Sequence, residues 1–110
     1  MKLPNLTEAF VPGAKIAGYL LSLDHRSGRD KARFFTRLGF RPSLPGQLRR
    51  SLLQHAGRNE VSSVVQTAFG TKYLIEGRIE GPTGDSAEIR SIWFVEAGES
   101  QPRFVTAYPM

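Results

Sequence analysis

The chain is 110 residues long, carries a formal net charge of +5 with a sequence pI near 10.1, and contains no cysteine. That length suits one domain with a single modest core, and the missing cysteine excludes disulfides, thiolate metal sites and a cysteine nucleophile. No apolar run approaches the ~20 residues that cross a bilayer, and the opening Met1-Lys2-Leu3-Pro4-Asn5 lacks the apolar stretch of a signal peptide.

In chain order, Pro12-Gly13 opens a helical stretch predicted over Ala14 to Ser22, where Ile16, Tyr19 and Leu20, with Leu23 after them, recur on one face. Asp24 or Ser27 caps a second helix that starts near Gly28 and runs to about Leu38, with Ala32, Phe35 and Leu38 as its apolar stripe. Gly39 stops it, and Phe40 packs back after it. Pro45 suits the first turn of a third helix, which buries Leu48, Leu52 and Leu53 and ends at Gly57. His55, late in that helix, is placed to answer the helix C-terminus.

From Glu60 the apolar period changes to two. Strands are predicted over Val61 to Phe69, Thr71 to Glu80, Ser86 to Glu96 and Pro102 to Tyr108, with turns at Gly81-Pro82-Thr83-Gly84-Asp85 and Ala97-Gly98-Glu99-Ser100. The expected fold is α+β: one domain over 1–110, with about three N-terminal helices (about 1–58) packed on one face of a four-stranded antiparallel sheet (about 59–110). The other face is at least partly open to solvent or a ligand.

The charge follows this division. Residues 1–58 hold eleven Lys and Arg against three acids, a net of +8, while residues 59–110 hold four against seven, a net of −3. A basic half of this kind attracts nucleic acid, an acidic protein or an anionic membrane, or is simply a solvated face. Membrane binding is disfavoured, because no helix joins a basic face to a broad exposed apolar one.

Candidate chemistry gathers in three segments. Arg90 shares a strand face with Ile92 and Phe94, a platform for phosphate and base, or else an arginine paired with a glutamate. Simple alternation puts Phe104, Thr106 and Tyr108 on one face of the last strand, offering two hydroxyls to a phosphate. His25 precedes the second helix and Lys31 lies in its first turn, so this is an acid–base group and a cation at a helix N-terminus, or a capping loop with a surface histidine. Arg29, Arg33 and Arg37 are candidate nucleic-acid contacts. No metal ligand spacing, phosphate loop or dinucleotide fingerprint is present, so no metal and no cofactor are expected.

The segment Asp24-His25-Arg26-Ser27-Gly28-Arg29-Asp30-Lys31-Ala32-Arg33-Phe34-Phe35 resembles a small bacterial domain family of undetermined function. So do Leu38-Gly39, the opening Lys2 to Asn5, the run Ile89 to Val95 and the ending Pro102 to Pro109, whose Val105-Thr106-Ala107-Tyr108-Pro109 is the piece most like ribonuclease toxins. The wider pattern resembles the barnase–EndoU–colicin–RelE group of ribonuclease toxins. That resemblance implies a metal-independent endoribonuclease in which a ribose 2′-hydroxyl attacks its phosphate and leaves a 2′,3′-cyclic phosphate. His25 is the implied base or acid, Lys31 and Arg90 stabilise phosphate charge, and Thr106 and Tyr108 hydrogen-bond it. A second acid–base group is missing from the pattern; Glu76 or Glu88 could serve. Implied partners are RNA and an acidic immunity or antitoxin-like protein, with the chain cytoplasmic or exported as part of a larger toxin system. The alternatives are a non-catalytic module that binds an acidic protein, with Arg90 structural, and sequence-tolerant nucleic-acid binding by the basic half.

Overall fold

The structure is a computed structural model, and it describes residues 1–22 and 29–110. Four strands, β1 (Val61–Thr67), β2 (Gly70–Glu80), β3 (Ser86–Glu96) and β4 (Arg103–Pro109), form one antiparallel sheet in the order β1-β2-β3-β4. The predicted strand over Ser86 to Glu96 has those bounds, and the others agree within two residues. The helices come first in the chain and pack on one face, as the switch from a helical to a two-residue period predicts.

The third helix, α3 (Pro45–Arg58), buries Leu48, Leu52 and Ala56, with Pro45 in its first turn. The second, α2 (Arg29–Arg37), buries Ala32 and Phe35. It ends in a Schellman turn: Gly39 has a φ of 103°, its N–H reaches the Thr36 carbonyl at 2.9 Å, and the Phe40 N–H reaches the Phe35 carbonyl at 3.2 Å. A side chain at position 39 would be strained by that positive φ. Phe40 returns to meet the Phe35 ring edge-on at 6.3 Å, which completes the motif's apolar contact.

The first predicted helix takes a different form. A single turn, α1 (Gly13–Lys15), runs into a π-helix (Ile16–Leu20) in which the Leu21 N–H bonds the Ile16 carbonyl at 2.8 Å. Gly13 and Gly18 weaken ordinary helix here. The wider turn keeps Ile16 and Leu20 fully buried while Tyr19 stays half-exposed. The cap at Asp24 or Ser27 lies outside the described residues.

The core joins these helix faces to Ile75, Ile79, Ile89, Trp93, Phe104 and Ala107 on the sheet. Trp93 meets Phe104 edge-on at 5.4 Å and donates its indole N–H to Ser91 Oγ at 2.9 Å, so the only buried tryptophan nitrogen is satisfied. His55 does lie in the last turn of α3, but its ring turns into the core toward the sheet. It is 1% exposed, with Nδ1 3.2 Å from the Arg78 carbonyl and Nε2 3.4 Å from the Ile75 carbonyl, pinning α3 to β2. Burial holds its pKa below 6.5 despite those carbonyls. Asn59 lies against Gly77 so closely that a Cβ there would fall 2.2 Å from Asn59 Oδ1.

Both sheet edges are touched by the N-terminal segment. The Val61 N–H bonds the Met1 carbonyl at 2.7 Å beside β1. At the other edge Phe10 pairs in parallel with Arg103, its N–H bonding the Pro102 carbonyl at 3.1 Å and its carbonyl accepting from the Phe104 N–H at 3.0 Å.

Candidate functional site

The sheet face away from the core carries the candidate chemistry, and strand register decides which side chains meet. Glu76 on β2 stands opposite Arg90 on β3, and Arg90 stands opposite Tyr108 on β4. The Arg90 Nε donates to Glu76 Oε2 at 2.8 Å, its Nη2 donates to the same oxygen, and its Nη1 donates to the Tyr108 hydroxyl at 3.2 Å. The guanidinium carbon also lies 5.7 Å from the Tyr108 ring centroid. The hydrogen bond to Tyr108, then those to Glu76, and their charges hold the Arg90 pKa above its ordinary value. Arg90 and Glu76 keep about a third of their side-chain surface, 34% and 32%, so water screens the pair and a ligand can reach it.

Simple alternation along β4 fails at one point. Ile92 pairs with Thr106 but Trp93 pairs with Phe104, so Val105 is an extra residue in a β-bulge. The bulge turns Phe104 into the core and leaves Thr106 and Tyr108 together on the open face, which corrects the expectation that all three share a face. Their same-face spacing of two residues is about 7 Å.

Thr106 leads to a second cluster. The Tyr19 hydroxyl, presented by the π-helix, lies 3.2 Å from Thr106 Oγ1. The ammonium groups of Lys31 and Lys15 each lie 5.4 Å from the Tyr19 ring centroid. Burial raises the Tyr19 pKa, but hydrogen bonds with Thr106 and Lys31 and the two positive charges outweigh it and leave the phenol below 10.0. This is a concentration of cations and hydroxyls suited to an anion.

Of the five residues singled out from sequence, the geometry joins Arg90 with Tyr108, and Lys31 with Thr106 through Tyr19. His25 lies outside the described residues. Arg29, Arg33 and Arg37 are exposed at four-residue spacing along α2, with Arg33 3.8 Å from Asp30. Of the two glutamates left open, Glu76 touches Arg90, whereas Glu88 is exposed one row further along, opposite Arg78. Tyr19 was hidden in an apolar stripe; the signal for it was a phenol on that stripe with Lys15 one turn before. Among the described residues no three His, Cys, Asp or Glu side chains gather as a metal ligand set, and no helix is long and apolar enough to cross a membrane.

Comparison with known proteins adds three findings. The family described as a domain of unknown function, DUF6883, matches residues 2–110. No curated protein sequence matches the chain. Among solved structures, a chain of the contact-dependent growth inhibition toxin–immunity protein complex from Klebsiella pneumoniae 342 is similar, with a TM-score of 0.70 at 16% identity over 94% of this chain and 95% of that one. At that identity the likeness is one of fold.

Proposed function

The chain belongs to the DUF6883 family, and we propose that it is a toxin-like domain that cleaves single-stranded RNA by internal transfer, with side chains supplying the chemistry. The observation that carries this reading is the row Glu76–Arg90–Tyr108, in which one guanidinium bonds a carboxylate on one side and a phenol on the other, on an open sheet face. The Glu76 carboxylate takes the proton of a ribose 2′-hydroxyl, O2′ bonds to phosphorus, and the P–O5′ bond breaks. Arg90 faces the charge that develops on the phosphate oxygens. Tyr108 accepts from Arg90 through its oxygen, which leaves its own O–H to donate to the same phosphate. His25 is the candidate acid for the leaving O5′, on the resemblance to ribonuclease toxins. Tyr19, Thr106 and Lys31, about 7 Å along the sheet, would hold the neighbouring phosphate.

The net charge of +5 and the +8 helical half favour a partner that is a polyanion. The fold shared with a toxin–immunity complex component agrees with a toxin-like role and with capture by an acidic immunity or antitoxin-like protein. A second reading has its own support: Arg90 already has a carboxylate partner in Glu76, as in a purely structural pair. On that reading the domain only binds, and Arg90→Ala costs folding rather than catalysis.

The test is incubation of purified protein with single-stranded RNA and transfer RNA in EDTA, with end-group analysis of the products. Cleavage leaving 2′,3′-cyclic phosphate ends, reduced about 10²- to 10⁴-fold by Glu76→Gln in a variant of unchanged circular dichroism, is expected. Intact RNA at high concentrations of folded protein refutes the enzyme and leaves the binding module.

A further inference from the structure

A third row crosses the same open face. Lys72 on β2 stands opposite Phe94 on β3, Phe94 opposite Arg103 on β4, and Arg103 pairs with Phe10 beyond the sheet edge. Two cations therefore alternate with two phenyl rings, contributed by four separate segments. Phe94, Arg103 and Phe10 line one pocket of about 150 Å³ together with Glu96, Glu99 and Gln101. Phe10 keeps 38% of its surface although nothing in its backbone pairing requires an exposed ring.

We propose that this pocket is a base-binding subsite for single-stranded RNA, an inference that rests on the ribonuclease reading of the same face. Phe94 lies four residues from Arg90 along β3, about 13 Å on a strand. The two rows thus lie along one strand direction, further apart than the reach of a single phosphate contact. A flexible RNA strand laid along β3 places its reacting phosphate at Arg90 and an unpaired base, further along, between Phe94 and Phe10. Aromatic faces stack any base, while Arg103 and Lys72 meet the backbone.

The polar lining selects among bases. Gln101 gives one of its two amide N–H groups to the Glu8 carbonyl at 3.0 Å, and Arg103 lies 3.4 Å from Glu96. The Glu99 carboxylate has no ion pair among the described residues. Two carboxylates, Glu96 and Glu99, line the pocket and only Glu96 faces Arg103, so the Glu99 side suits a base that donates through an exocyclic amino group. Cytosine is therefore preferred to uracil at this position, the two being alike in size.

The experiment uses the whole chain, with a non-cleavable 2′-O-methyl trinucleotide series for binding and matched cleavable di- and trinucleotides for kinetics. Phe94→Leu keeps an apolar side chain and removes the stacking ring. The expected result is about a 10-fold rise in KM and in trinucleotide Kd for Phe94→Leu, the scale of one stacked base, with kcat and dinucleotide cleavage unchanged. Cytosine should beat uracil at the distal position, and Glu99→Gln should narrow that gap. Cleavage that is indifferent to Phe94→Leu and to the distal base overturns the subsite and leaves the ribonuclease reading in place. Phe94-dependent trinucleotide binding without cleavage keeps the subsite and removes the catalysis. Because Phe94 also packs near Gly70, Phe10→Leu is run in parallel, and loss of folding in one variant leaves the other to decide. Displacement of the trinucleotide by an arginine-rich peptide at equal affinity would overturn the RNA assignment in favour of a protein partner's cation.

Discussion

His55→Leu separates the structural histidine from any catalytic one. The substitution roughly keeps the volume between α3 and β2 but removes a ring held by the Arg78 and Ile75 carbonyls. A neutral imidazole carries one N–H, so one of these contacts is a donated hydrogen bond. Its loss, together with a buried carbonyl deprived of that donor, costs about 2 kcal/mol, which lowers Tm by roughly 10 °C in a domain of this size. The cost depends on pH. The folded pKa is depressed below 6.5 by burial, so the unfolded chain takes up the proton first as pH falls. The histidine's contribution is therefore whole above about pH 6.5 and fades as pH drops through the lower folded value. Thermal melts of wild type and His55→Leu between pH 7.5 and 5, both in a His25→Gln background to remove the other histidine, should show a Tm gap that closes on acidification. A gap that stays constant, or widens toward pH 5, would refute the argument that a neutral ring ties α3 to the sheet.

Two further outcomes bear on the site. Ultraviolet titration should show one tyrosine ionising below the ordinary range near 10.0, and Tyr19→Phe should abolish that component; persistence of the component would detach Lys15 and Lys31 from the phenol. Replacing Arg29, Arg33 and Arg37 together by Gln should reduce the slope of log affinity for single-stranded RNA against log salt by about 2, and an unchanged slope would exclude the exposed face of α2 from the RNA contact.

The parts of this structure legible in the sequence are those set by local period. The strand Ser86–Glu96 follows from an apolar stretch, with apolar residues on both faces, set between two turn segments, and the Gly39 stop from its place after an apolar helical stripe. Two local irregularities were not legible, since each changes the count by one residue. The bulge at Val105 reverses which side Phe104 takes, and the π-turn re-aims Tyr19 without altering the spacing of Ile16 and Leu20. The site depends on register between strands, which one-dimensional pattern does not contain. Glu76 was a named but unplaced carboxylate until β2 and β3 aligned it with Arg90, and nothing near Phe10 in sequence predicts its place beside Arg103.

The N-terminal strap has a consequence for the order of assembly. Residues 1–10 reach from the start of β1 at Met1 to the far edge of β4 at Phe10, and Asn5 and Gln101 fasten the strap to the turn between β3 and β4 at 3.0 Å each. The strap thus finds its partners some ninety residues further along the chain. Closing a loop of some ninety residues is entropically slow, so the sheet cannot be clasped until the whole chain is free to fold. A partly folded chain carries the strands without the finished Phe10–Phe94 cleft, and that cleft appears only when the strap and β4 are both free to meet.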